Sequence, residues 1–194
     1  MPRQRDLREQ QERLSAATWA VLAEQGVTGL TLRAVAERAG CTTGLVLHTF
    51  GDKRALLMHA RRLLHERSRA RYETAATGAG SPAAALRAVL HQSACLSDDG
   101  RDEARIWVGF LAAALADPEL AALHTGYNRA FLQRVGRLAG DCRPEWNDER
   151  RAEVARALVA LVEGLNCLAA ADSETYSGAA QRQAIDTTVA RLLA

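Results

Sequence analysis

Aromatic residues are scarce in this chain, with three Phe, three Tyr and three Trp among 194 residues. Runs of β-branched and aromatic residues are correspondingly few, while Ala, Leu and Arg dominate. That composition weighs against a sandwich or barrel and favours an all-α protein. No continuous apolar stretch reaches the ~18–20 residues of a bilayer-crossing helix, so no membrane partner is expected. The opening segment Met1-Pro2-Arg3-Gln4-Arg5-Asp6 lacks the apolar core of a signal peptide, and a cytoplasmic location is expected. Cys41, Cys95, Cys142 and Cys167 form no CxxC pair and read as reduced thiols, mostly small apolar fillers. His59, His65, His91 and His124 lack zinc-ligand spacing, and no Ser, Cys or carboxylate constellation has catalytic spacing. No metal, no cofactor and no enzymatic activity are therefore expected. Internal repeats and low-complexity tails are missing too.

Lysine is almost absent: Lys53 is the single one, and arginine carries the remaining positive charge. The formal net charge of +2 conceals an asymmetry. Residues 1–75 hold 13 Lys and Arg against 8 Asp and Glu, whereas residues 76–194 hold 12 against 15. The basic end is a candidate polyanion-binding end, or else a solvated surface.

What is present is helical periodicity with clear punctuation. From about Arg5 to Gln25, Leu7, Leu14, Ala17, Val21 and Leu22 share a face, and Gly26 follows as a left-handed stop. Thr31 caps a short second helix that buries Leu32, Val35, Ala36 and Ala39 and ends at Gly40. Thr42 caps a third, very short helix to about His48. After Phe50-Gly51, Asp52 caps a fourth helix through Leu56, Leu57, Leu63 and Leu64 to about Tyr72. Thr77-Gly78-Ala79-Gly80 is the clearest linker. Ser81-Pro82 opens a helix to about Ser97, another covers about Asp102 to Ala116, and Asp117-Pro118 starts a long one to about Leu138. Residues 142–146 read as a loop.

In the penultimate helix Leu158, Leu161, Leu165 and Leu168 follow steps of three and four beside a second apolar row, and Ile185, Val189 and Leu192 repeat the spacing in the last helix. Two helices with spare apolar faces are expected to form a four-helix dimer interface, unless they complete one larger monomeric core. About nine helices are expected in all, in a three-helix N-terminal domain over residues 1–51 and a larger helical domain over 52–194.

Residues 31–50 carry the functional signal: a capped helix, a Gly-containing turn and a second capped helix, which is the helix-turn-helix layout. Val35 and Ala36 must pack against Val46 to fix the crossing. Thr43, Gly44, Leu45, Leu47 and His48 are then left on or near the outer surface. A short exposed helix without a carboxylate, crowded with hydroxyls and small apolar groups, suits DNA. Thr42 and Thr43 can reach phosphates or base edges, Leu45 a thymine methyl, and His48 a phosphate. An ordinary helical hairpin is the alternative on this stretch alone.

The run from Leu14 to Leu57 resembles the DNA-binding domain of the TetR family. The matching residues are Ala16-Ala17, Glu24-Gln25-Gly26, Thr31, Val35-Ala36-Glu37-Arg38-Ala39-Gly40, Gly44, Phe50, Lys53 and Leu56-Leu57. The resemblance implies a homodimeric repressor of double-stranded operator DNA, with Lys53 on a phosphate. Leu47 stands where the family usually has tyrosine, and Thr49 where it often has an aromatic. Arg33, and Arg3, Arg5 and Arg8 in the leading arm, are candidate compensating contacts. Trp107-Val-Gly-Phe110 with Ala114 and Asp117-Pro118, and Leu161-Val-Glu-Gly164-Leu165, are similar to the branch of the family that contains the choline-responsive repressor BetI.

Such a regulator needs a mostly apolar pocket with a few polar groups. Trp107, Phe110 and Leu111 form one candidate patch, Tyr127 and Phe131 a second, and Glu163 with Asn166 share a face. Together they could hold a cationic or amphipathic effector whose identity is unknown; core packing is the alternative for each aromatic. Two further functions stay open at this stage, a constitutive DNA-binding protein without effector and a helical small-molecule-binding protein without DNA function.

Overall fold

The computed structural model describes residues 2–94, 96 and 98–194, with side chains described from residue 9 onward except those of 95 and 97–101. Nine helices and no strand are present among the described residues. They are α1 (Pro2–Gly29), α2 (Leu32–Ala39), α3 (Thr43–Phe50), α4 (Lys53–Thr77), α5 (Pro82–Ser93), α6 (Asp98–Ala114), α7 (Pro118–Cys142), α8 (Asp148–Ala171) and α9 (Gly178–Leu192). They group into two compact units, Met1–His65 with Gly109–His124, and Glu66–Val108 with Thr125–Ala194.

In the first unit Leu14, Val21, Leu22, Leu30, Val35, Val46 and Leu56 are buried together with Phe110 and Leu120. Gly26 takes a left-handed φ of 68° as expected, yet it kinks the chain instead of stopping it, and helix resumes to Gly29. The resumed turn buries Val27 and Leu30, and burying them outweighs the break. Gly109 of α6 lies against it: a Cβ there would come within 3.0 Å of Val27 Cγ2. Polar clamps bind the same unit. Arg54 at the start of α4 grips Asp117 with two guanidinium N–H groups (2.9 and 3.1 Å) and reaches Glu119 at 3.2 Å. Deeper along α4, the buried Arg61 donates to His124 Nδ1 at 3.3 Å.

The second unit is built around α8. Val154, Ala155, Leu158, Val159, Val162 and Leu165 pack with Leu86 and Leu90 of α5, Val135 and Ala139 of α7, and Ile185 and Val189 of α9. By length and composition alone α8 is apolar enough to cross a membrane, but one face of it is buried in this core. Several boundaries differ from expectation: α4 runs on to Thr77, into the expected linker, α6 starts at Asp98, and two more have a visible cause. Helix α5 ends at Ser93, four residues early, where the Asn166 side-chain amide donates to the Ser93 carbonyl at 2.7 Å and so caps it from α8. Helix α7 runs on to Cys142 and turns through a hydrogen bond from Arg143 N to Ala139 O before Asn147 caps α8.

Candidate nucleic-acid interface and sensing residues

Helices α2 and α3 are eight residues each, too short to hold alone, and local chemistry supplies what length does not. Thr31 Oγ1 accepts from Ala34 N at 3.1 Å, and Thr42 Oγ1 accepts from Leu45 N at 3.2 Å. Gly40, at φ 63°, ends α2 with paired bonds from Gly40 N to Glu37 O (3.2 Å) and from Cys41 N to Ala36 O (3.0 Å). That two-bond closure needs the left-handed conformation glycine adopts freely. Arg38 and Glu24 form a two-pronged ion pair that ties α2 to α1. Val46 is fully buried and roots α3 in the unit.

With Val46 inward, Thr42, Thr43, Gly44, Leu47 and His48 are exposed, while Leu45 and Thr49 are half-buried. Thr49 is not free to replace an aromatic contact, because its hydroxyl donates to Leu45 O at 2.9 Å. Each capping hydroxyl, of Thr31 and Thr42, uses its oxygen as acceptor and keeps its proton to donate. Arg33, His48 and Lys53 are exposed and carry no ion pair or hydrogen bond among the described residues. Lys53 opens α4, where the Asp52 carboxylate accepts from Ala55 N at 2.7 Å. Asp52 therefore already serves the backbone N–H groups of that helix start, and the Lys53 ammonium is the group left for an incoming phosphate. Behind the surface, His59 joins three elements: its Nε2 lies 3.0 Å from Ser15 Oγ, and its ring is 4.9 Å from that of Phe50. The side chains of Arg3, Arg5 and Arg8, proposed from the sequence as arm contacts, lie outside the described residues, as does Cys95.

The residues proposed for sensing fall in both units. Phe110 is fully buried and Leu111 half-buried in the first unit. Trp107, Tyr127, Phe131, Glu163 and Asn166 belong to the second. There Phe131 meets the ring of Tyr72 at 5.1 Å, and Asn166 is buried as the cap on α5. Glu163 is half-buried with no ion pair or hydrogen bond among the described residues, and burial pushes its carboxyl above the usual range. Of the proposed dimer residues, Leu158, Leu165, Ile185 and Val189 are buried in the core of their own protomer. The three-and-four spacing marked a buried face correctly but could not say which neighbour buries it. Leu161 and Leu192 are half-buried, and Leu168 is 47% exposed.

Comparison with known proteins decides what this architecture belongs to. The profile for bacterial regulatory proteins of the tetR family matches residues 14–60, and that for the C-terminal part of BetI-type transcriptional repressors matches residues 82–194. The chain belongs to the TetR family. Its curated TetR-family relatives include the HTH-type transcriptional regulator BetI of Stenotrophomonas maltophilia, 30% identical over 79% of this chain and 78% of that one. The BetI of Burkholderia thailandensis is 34% identical over 77% and 75%. A transcriptional regulator from Rhodococcus sp. Rha1 superposes with a TM-score of 0.82 at 30% identity, covering 94% of this chain and 95% of its own. A structure described as a transcriptional regulator from Saccharomonospora viridis in complex with choline shares the fold, with a TM-score of 0.84 over 94% and 96% at 17% identity. This TetR-family chain is thus a BetI-like transcriptional repressor and not an enzyme. TetR regulators bind operator DNA, typically as dimers, and work inside the cell.

Proposed function

We propose that this repressor binds a pseudo-palindromic operator as a homodimer in the cytoplasm and is released by a cationic or amphipathic small molecule. The observation that carries the DNA half is the α3 surface. Its exposed Thr43, Gly44, Leu47 and His48 include no carboxylate, and the unpaired Arg33 and Lys53 stand exposed in the same unit. In this reading the module of residues 1–51 reads the groove, Leu45 and Leu47 meet thymine methyls, and Thr31, Thr42, His48 and Lys53 hold phosphates. Recognition helices of the two copies would sit ~34–36 Å apart, one turn of duplex. Helices α8 and α9 would form the seam between copies, with Leu161, Leu168 and Leu192 as the proposed dimer residues not fully enclosed in the protomer.

Glu163 supports a cationic effector, since a half-buried carboxylate without a partner gains most from a positive ligand. The choline in the Saccharomonospora viridis structure makes choline the first probe to use. Effector binding can release DNA only through unequal affinity for the bound and free conformations.

Fluorescence anisotropy against DNA from upstream of the chain's own gene, with scrambled DNA as control, tests the first half. Preferential binding that weakens steeply with salt is expected; failure there and in a random-sequence selection would refute it. Thermal shift with choline chloride, on the wild type and on Glu163→Gln, tests the second half.

A further inference from the structure

On the second unit, α7 and the start of α8 enclose an open cleft of about 530 Å³, lined by Arg134, Arg137, Leu138, Gly140, Asp141, Pro144 and Arg151. Three guanidinium groups face a single carboxylate in this lining. Arg151 is held in place by the backbone. Its Nη2 donates to Pro144 O at 3.0 Å, and its side chain lies flat across Gly140, where a Cβ would come within 2.9 Å of Nε and 3.0 Å of Cδ. Glycine at 140 thus opens the berth the guanidinium occupies. Arg134 is oriented by Glu73 at 3.3 Å. Arg137 is exposed and has no ion pair or hydrogen bond among the described residues. Arg134 shares Glu73 with Arg69, and Arg151 Nη1 lies 3.7 Å from Asp148. With Asp141 counted, four arginines meet three carboxylates, so the charge left over is that of the uncommitted Arg137, in a cleft also lined by Leu138 and Pro144.

We propose that this cleft binds a small oxyanion, a molecule bearing two or more phosphate or carboxylate groups. Guanidinium pairs carboxylate and phosphate oxygens in the same planar, two-pronged way, so the shared chemistry is the oxyanion. Asp141, one turn from Arg137 along α7, opposes the ligand and limits its affinity. The site is separate from the proposed cation response, whose chemistry is opposite in sign.

The test is isothermal titration of the full-length protein with sodium pyrophosphate and, separately, trisodium citrate, at constant ionic strength set with sodium chloride. Saturable binding of either is expected, and the tighter of the two assigns the source as phosphate or carboxylate. Arg137→Gln is expected to weaken it about tenfold, the loss of one charge-assisted contact. Gly140→Ala removes no charge but displaces Arg151, and it too is expected to weaken binding. Asp141→Asn is expected to tighten it. Arg156→Gln, an exposed arginine elsewhere on α8, serves as the charge-matched control and leaves it unchanged. Should Gly140→Ala fail to fold, Arg137→Gln against Arg156→Gln still decides. Unsaturable heats with both anions, or equal losses in those two variants, would overturn the proposal.

Discussion

Helix α3 and helix α8 are stabilised in opposite ways. The first has eight residues, one fully buried side chain and a hydroxyl cap; the second has 24 residues and one face buried against three other helices. What holds α3 is mostly local: Thr42 at its start, Gly51 at its end and Val46 beneath. What holds α8 is distributed over neighbours far away in sequence. Half of the α3 residues are exposed and only Val46 is buried, whereas α8 buries eight of its 24. The contrast teaches that mutations should separate stability from DNA affinity along the chain.

Leu158→Ala should give the largest effect. The side chain is fully buried in the second unit's core, and the truncation should cost about 2–5 kcal/mol in denaturant unfolding. Operator affinity of the folded fraction should be unchanged; a matching loss of affinity would break the contrast. Next comes acid. Burial chiefly, and then the charge of Arg61, lower His124 to about 4 from 6.5. The unfolded chain therefore binds the extra proton between those values, and stability falls as pH drops through that window. Between pH 7 and 5 the loss should be about 2 kcal/mol, and His124→Gln should remove that part of the pH dependence.

Lys53→Ala and His48→Ala should leave the melting temperature nearly unaltered and weaken operator binding about tenfold each. Lys53→Ala should also reduce the salt slope by about one. A melting shift with full affinity would place those residues in the scaffold class instead. The smallest effect belongs to Thr42→Val, which keeps the shape of the side chain and removes the cap. It should cost about 1 kcal/mol, and affinity should fall with it because the donating proton goes as well.

Much of the first unit was legible because its signals are short-range. Thr31, Thr42, Asp52 and Asp117 all accept the backbone bonds their positions announce, and Gly40 takes the left-handed turn. Recognition-helix exposure followed from a single residue, Val46. The second unit was less legible, since an apolar row does not name its neighbour. Leu158 and Ile185 pack inward where an outward role was equally compatible with the spacing. Asn166, offered by its spacing as a pocket residue, also caps α5, a pairing across 73 positions that no local pattern encodes. The buried Arg61 with His124, and the grip of Arg54 on Asp117, left no trace in periodicity either. Their nearest clue was the oddity of polar residues near an apolar row.

Lys53 has one more consequence. It is the only side-chain primary amine in a chain otherwise charged by arginine, and it stands exposed at the first residue of α4. A reagent that acylates amines thus meets one side-chain target, and that target is the proposed phosphate contact. Guanidinium groups ignore such chemistry at neutral pH. Modification would erase the positive charge there while leaving every arginine clamp intact, so a bulk, non-selective reagent reads one side chain besides the terminal α-amine, and duplex bound at that side chain should shield it.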